Sequence, residues 1–384
     1  MERLSLCRRN RRDDKDRLSE LPNNLLLHIM SFMETRDAIQ TCVLAKRWKN
    51  LCKRLNNLSF NFEYSRSRNN FQDFVYWTLF RRDHSISLLK LRIYSYFSCY
   101  RQLELLYCVM EYAAMHNVQH LDIDMDVDIE LIGRFSFEFD PFVYFYPSLT
   151  TLRLSGDIFC PTPTLKLPKI LKSPVSLETL RLVYVSFTTS ENNIADPFSN
   201  CNFLNTLVLV LCSLDKDEND KFFHISNSNL SNLVLVGSTC DVFKIVLSTP
   251  NLRSLTLNQI CSDRISFACN LLFLEEIIID SCLYNPVCSI WLDVFSNVKK
   301  MTITTCTLDT VLDDLAGLEI RITQSPRFAR LESLIVKKDP CMEFSDVKVN
   351  RILKYILQNS PLARVDLVKN GKLYPYSILN YRHP

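Results

Sequence analysis

Leu204–Leu214 reads LNTLVLVLCSL, with leucines at positions 1, 4, 6, 8 and 11 of the stretch and a cysteine at position 9. Leu207 and Leu209 alternate with Thr206, Val208 and Val210, the period-two pattern of a short strand with one buried face. The apolar-x-x-apolar-x-apolar unit starts again at Leu55, Leu88, Val118, Leu149, Leu177, Leu230, Leu252, Leu274, Val298, Leu331 and Leu362. Successive starts lie 22 to 33 residues apart. Self-similarity at that period points to a repeat architecture, which grows in one dimension rather than as several independent domains.

Cysteine placement follows the same register. With Leu204, Leu274 and Val298 each taken as position 1, Cys212, Cys282 and Cys306 all fall at position 9, and Leu214 and Leu308 follow at position 11. A small buried thiol closing the turn after each strand accounts for them, so they read as core residues. The pattern resembles the leucine-rich repeat, LxxLxLxxN/CxL, in the irregular form found in plant F-box proteins. That resemblance implies an α/β solenoid in which parallel strands line a concave face. Helical connectors are expected at Leu103, Leu106, Tyr107 and Met110, at Val242, Phe243, Val246 and Leu247, and at Val349, Ile352, Leu353, Ile356 and Leu357. Extended connectors are expected where Phe135, Phe137 and Phe139 alternate and through the proline-punctuated stretch 161–174.

Ahead of the repeats stands Asp16–Leu51, DRLSELPNNLLLHIMSFMETRDAIQTCVLAKRWKNL. Three short helices fit it. The first places Pro22 in its opening turn, where the missing N–H costs nothing, and carries Leu25, Leu26, Ile29 and Met33. The second is capped by Thr35, has Asp37 in its first turn and carries Ala38, Ile39 and Cys42. The third carries Trp48, Leu51, Cys52 and Leu55. A unit of this size is too small to bury all its apolar side chains on itself, so a partner is expected to cover the remainder. Leu18, Ser19, Leu21-Pro22, Leu25-Leu26, His28-Ile29, Ser31-Phe32, Asp37-Ala38, Thr41, Leu44 and Lys46-Arg47-Trp48 resemble the F-box in its plant form. Asn24 and Met33-Glu34 depart from the usual residues without removing an apolar contact. The resemblance implies docking onto a Skp-type adaptor, and through it a cullin, by Leu21, Pro22, Leu25, Leu26, Ile29, Leu44 and Trp48, some of which could instead hold the three helices together. A helical cap closing the repeats is the bland alternative.

The expected organisation is a disordered basic arm over 1–15, the F-box over 16–55, leucine-rich repeats over 56–348, and a capping repeat over 349–384 that resembles a short FBD-like tail. In such a solenoid, positions 3, 5 and 7 of each unit face the concave side. Position 5 then runs Arg92, Asp122, Arg153, Arg181, so opposite charges are neighbours on strands about 4.8 Å apart. This is either a polar recognition site, with Asp124 beside it, or a ladder of compensated charges. Val183, Val208, Val210, Val234 and Val236 form an apolar group on a face that should be wet, which marks a partner surface or a place where the chain folds over.

Composition removes several function classes. With 47% hydrophobic residues, 23% charged residues and a net charge of +3, the chain carries no strong field for nucleic acid or membrane. Five glycines, at 133, 156, 237, 317 and 371, cannot build a phosphate cradle. The 15 cysteines include no CxxC pair, and the opening MERLSLCRRNRRDDKDR has no apolar stretch of signal-peptide length. The expectation is therefore a reduced, intracellular protein of the nucleus or cytoplasm, without metal or other cofactor. Arg8, Arg9, Arg11 and Arg12 suit either a nuclear-import patch or a solvated arm. HLDIDMDVDIE, residues 120–130, fails as a calcium loop because Val127 stands where glycine is needed; Asp126 and Asp128 are expected in a solvated turn. His116 and His120 pass from helix end into strand and would not share a face. Neither GxSxG nor HExxH occurs, so the expected role is binding rather than catalysis. The resemblance implies a receptor that presents a target protein for ubiquitin transfer. The alternatives are a small-molecule co-receptor using Arg153, Arg181 and Tyr94, and a non-degradative scaffold.

Overall fold

The computed structural model describes residues 18, 20–65, 67–97, 103–127, 137–138, 147–157, 165–171, 176–215, 221–237, 243–280, 294–308, 328–338, 353–354, 356–357, 360 and 363–368. The basic arm, Asp128, Cys282 and Leu362 lie outside these residues.

The N-terminal stretch forms helices α1 (Asn23–Met30), α2 (Thr35–Gln40) and α3 (Lys46–Cys52), with a 3₁₀ turn at Thr41–Val43 between the last two. Pro22 sits one position before α1 as its N-cap, and its carbonyl accepts from the amides of Leu25 and Leu26 at 3.1 Å. Thr35 is not the cap expected of it. Glu34 holds that position, and the buried Thr35 hydroxyl accepts the Ser59 amide at 2.7 Å, tying α2 to the first strand. Leu55 lies beyond α3 rather than on its stripe and is buried as position 1 of the first repeat unit.

From there a 12-stranded parallel sheet runs in chain order. Its strands are Asn57–Asn61, Lys90–Phe97, His120–Val127, Thr151–Ser155, Thr179–Val183, Thr206–Val210, Asn232–Val236, Ser254–Asn258, Glu276–Asp280, Lys300–Thr304, Ser333–Lys337 and Arg364–Val368. Each begins at position 3 of a unit read from the sequence, and the pairing keeps like positions opposite one another: Thr206 lies against Thr179 and Asn232, Leu207 against Leu180 and Leu233. Positions 1, 4 and 6 are interior from the first strand to the eleventh, Leu204, Leu207 and Leu209 being typical. The sheet is open, with 57–61 and 364–368 as its edges. Leu367, at position 6 of the last strand, is exposed.

The return segments are mixed. Two helices, α4 (Arg68–Arg81) and α5 (Leu103–Met115), back the first strands. Ser67 caps α4 by accepting the Asn70 amide at 3.3 Å, and Phe71, Val75 and Leu79 are its buried stripe. Further on, the returns become short strands in two four-stranded outer sheets. One holds Phe137–Glu138, Leu165–Leu167, Val185–Phe187 and Ser213–Leu214; the other holds Ile194–Ala195, Phe222–Ser226, Lys244–Ser248 and Ile265–Phe267. Where a helix is expected over 242–247, residues Lys244–Ser248 form a strand instead, and Val242 lies outside the described residues. Ile245 and Leu247 are its buried residues, and Phe243 just before it is buried too, a period of two that overrides the helical spacing of Phe243, Val246 and Leu247. Leu353 and Ile356 are helical and buried, while Val349 and Ile352 lie outside the described residues.

After the middle strands the chain turns sharply. Tyr184, Leu211 and Gln259, each at position 8, have positive φ of 53°, 51° and 56°. Their amides, with those of Gly156 and Gly237, donate to the position-7 carbonyl of the next strand at 2.7–2.9 Å. This ladder carries the pairing one residue past the strands. The Cys212 thiol follows it, buried and directed at the carbonyls of Leu182 and Val210 at 3.6 and 3.7 Å.

Candidate functional site

Two surfaces collect the residues that the sequence singles out. On the helical unit, Leu26, Met30, Ala38, Trp48 and Leu51 fill the interior. Leu26 and Trp48 thus hold the helices together, and Leu21 is half-buried against the same core. Pro22, Leu25, Ile29 and Leu44 are exposed. They are joined by Leu18, by Phe32 at 79% exposure and by Val43 at 88%. Arg47 fixes the corner where this face begins: its Nη2 donates to the Leu21 carbonyl at 2.5 Å and its Nε to Asn23 Oδ1 at 2.6 Å. Phe32 and Val43 were legible in principle. Cys42, Val43 and Leu44 are three consecutive apolar residues on one short turn, which cannot all point inward. Lys46, Lys49 and Lys53 add an exposed basic edge along α3.

The second surface is the face of the sheet made by positions 3, 5 and 7. Register places Arg92, Asp122, Arg153, Arg181, Val208 and Val234 side by side on consecutive strands. Asp122 receives Arg92 at 3.4 Å and Arg153 at 3.6 Å, and Arg153 also reaches Asp124 at 3.8 Å. Asp124 is largely buried, and burial pushes its carboxyl above the ordinary range despite the Arg153 charge, with Asp122 and Asp126 adding to the rise. Asp126 does not lie in a solvated turn. It ends within the strand His120–Val127, half-buried, and accepts the Tyr94 hydroxyl. Arg153 is thereby committed to two carboxylates.

The valines separate into two layers. Val183, Val210 and Val236, at position 7, are buried; Val208 and Val234, at position 5, are half-buried beside them. Tyr184 and Leu211 pack on this group. Both have positive φ, so the turn that extends the pairing also folds an apolar side chain over the valines. Among the described residues no group of three or more His, Cys, Asp or Glu is placed to hold a metal, and no helix is long and apolar enough to cross a membrane.

The F-box domain family matches residues 18–60. Similarity continues beyond that module to curated proteins of Arabidopsis thaliana. An F-box/LRR-repeat protein is 28% identical over 260 residues, covering 66% of this chain and 79% of its own length. An FBD-associated F-box protein is 25% identical over 321 residues, covering 78% of this chain and 67% of its own. The F-box match and these Arabidopsis relatives together support a plant F-box/LRR protein. A further relative, an F-box/FBD/LRR-repeat protein, is 28% identical over 233 residues, but only 50% of its length is spanned. F-box domains in general bind Skp-type adaptors. The F-box match ends at Phe60, so it takes in most of the first strand as well as the three helices. The Thr35–Ser59 hydrogen bond lies inside that boundary.

Proposed function

We propose that this F-box/LRR chain is the substrate-recognition subunit of a Skp–cullin–F-box ubiquitin ligase. The observation that carries the reading is the exposed apolar face of the F-box: Pro22, Leu25, Ile29, Phe32, Val43 and Leu44 stand in solvent on a unit whose interior is already filled. So many exposed apolar side chains between residues 22 and 44 mark a partner site, and the F-box match supplies the partner class, a Skp-type adaptor that joins the chain to a cullin. In this reading the parallel sheet and its returns are a leucine-rich-repeat solenoid over residues 56–348, closed by a cap over 349–384. Its concave face captures a target protein. Arg92, Asp122, Asp124, Arg153 and Arg181 form the polar part of the capture surface, Val208 and Val234 its apolar part, and Val183, Val210 and Val236 the floor beneath them. The chain contributes proximity rather than chemistry: holding the target converts an intermolecular ubiquitin transfer into an effectively intramolecular one. Such a subunit works in the nucleus or the cytoplasm.

The test is co-purification of the full chain with a recombinant Skp-type adaptor, beside a Val43→Asp/Leu44→Asp variant. Both positions are exposed, so the variant should keep the wild-type circular dichroism spectrum while losing the adaptor by 100-fold or more, on the order of the loss when a buried apolar anchor becomes a charge. Equal retention of the adaptor by a folded variant would remove this face from the docking surface.

A further inference from the structure

Two thiols in the F-box take no part in the docking face. Cys42, in the turn Thr41–Val43, and Cys52, at the end of α3, bring their sulfur atoms to 2.8 Å. That separation is closer than ordinary contact between unbonded sulfurs and longer than the roughly 2.05 Å of a bonded pair. Both thiols are half-buried. The Cys52 S–H is directed at the Ala38 carbonyl at 3.1 Å, and the Cys42 S–H at the Cys52 sulfur, so the two sulfurs already face each other.

We propose that Cys42 and Cys52 are a disulfide-forming site that reacts with a low-molecular-weight disulfide of the glutathione class. The Cys42 thiolate attacks one sulfur of the small disulfide, breaking its S–S bond and releasing one thiolate. Cys52 then loses its proton to solvent and attacks the Cys42 sulfur of the mixed disulfide, forming the Cys42–Cys52 bond and expelling the second thiolate. The two cysteines give up two electrons and two protons, and the small disulfide becomes two thiols. Burial, and then the hydrogen bond from Cys42, push the Cys52 thiol up to about 12. Cys52 is therefore seldom ionised in the reduced protein, which assigns it the second step. The bond would tie the turn carrying Val43 and Leu44 to α3, across the loop between residues 42 and 52. Reduced glutathione reverses the reaction.

The experiment equilibrates the native full chain with glutathione disulfide, quenches in acid, alkylates free thiols and digests with trypsin. The expected product links peptide 37–46, DAIQTCVLAK, to peptide 50–53, NLCK. It disappears on treatment with reduced glutathione before the quench. Cys52→Ser should trap a glutathione adduct on Cys42, whereas Cys42→Ser should carry little at Cys52. Glutathione adducts on wild-type Cys42 or Cys52 with no link between them would overturn the site. Adduct formation mainly at Cys52 in Cys42→Ser would overturn the assigned order of attack. Neither readout depends on whether the adaptor binds.

Discussion

In the sheet, positions 1, 4 and 6 of the first eleven strands are interior, from Leu55, Leu58 and Phe60 through Leu331, Leu334 and Val336. In the F-box, Leu25, Ile29, Phe32, Val43 and Leu44 face solvent on or just beyond elements of three to eight residues. Both regions are rich in leucine, so composition does not separate them; geometry does. Each strand stacks on two neighbours that repeat its own pattern, whereas three short helices have one another and the first strand, and their inward faces are used up by Leu26, Met30, Ala38, Trp48 and Leu51. A repeat unit is completed by its own chain. The F-box leaves these apolar side chains uncovered.

The sharpest way to break this comparison is to remove apolar side chains from each region and measure stability rather than binding. Phe60→Ala should lower the unfolding free energy by about 3–5 kcal/mol, the usual result for a fully buried phenylalanine. Val43→Ala should change it by less than about 0.5 kcal/mol. Urea denaturation followed by circular dichroism reads both. Equal losses would mean that the exposed face is part of the chain's own core.

Within the sheet the charged ladder and the valine layer offer a second contrast, since one stretch of the same face is held by ion pairs and the next by packing. Arg153→Ala leaves Asp122 and Asp124 without the guanidinium they share, and should cost about 1–3 kcal/mol. Asp124 sets the pH dependence. Burial raises its folded pKa, so the folded chain holds this proton more tightly than the unfolded one. Its contribution to stability is therefore complete in acid, below the unfolded carboxylate range, and is lost as pH rises through the folded value. Asp124→Asn removes the titration. The difference in unfolding free energy between variant and wild type should grow in the variant's favour as pH rises above the ordinary carboxylate range. Parallel stability profiles would show that Arg153 fully compensates the burial.

How far the sequence carried these conclusions differs by element. The register of the sheet was open to reading because a strand has a period of two and the repeat supplied many copies to align. Helix α4 was not, although Ser67, Phe71, Val75 and Leu79 give it a cap and a stripe, because it lies between two units and repeats nothing. The strand Lys244–Ser248 was misread because a short apolar run fits either period until its neighbours, Phe222–Ser226 and Ile265–Phe267, fix it in a sheet. On the candidate site, the charge alternation from Arg92 through Asp122 to Arg153 followed from register alone, while Arg181 meets Arg153 as a like charge on the next strand. The covering of Val183, Val210 and Val236 did not: it depends on Tyr184 and Leu211 taking a backbone conformation that neither residue type favours. Exposure in the F-box was half legible, since spacing placed Leu25 and Ile29 on a helix but could not tell them from Leu26.

That ladder of turns gives the finest test of what keeps the sheet self-sufficient. At Gly156 the constraint is space: a Cβ there would lie 2.5 Å from the Tyr184 carbonyl oxygen, which itself belongs to the next turn. Gly156→Ala should therefore cost about 1–3 kcal/mol, as overpacking does. At Gln259 the constraint is φ instead. Its value of 56° costs a side-chain-bearing residue about 1–2 kcal/mol, and Gln259 is not among the residues packed on the valines. Gln259→Gly removes that strain but adds freedom to the unfolded chain, and the balance should be a gain of about 0.5–1 kcal/mol. Leu211→Gly relieves the same strain while uncovering the valine layer, so its balance should fall below that of Gln259→Gly. Thermal unfolding of the two variants side by side decides the matter. If both gain equally, Leu211 contributes only its turn, and the valines need another explanation for their burial. If Leu211→Gly loses where Gln259→Gly gains, the left-handed turn is retained because it places an apolar side chain over the face of the sheet.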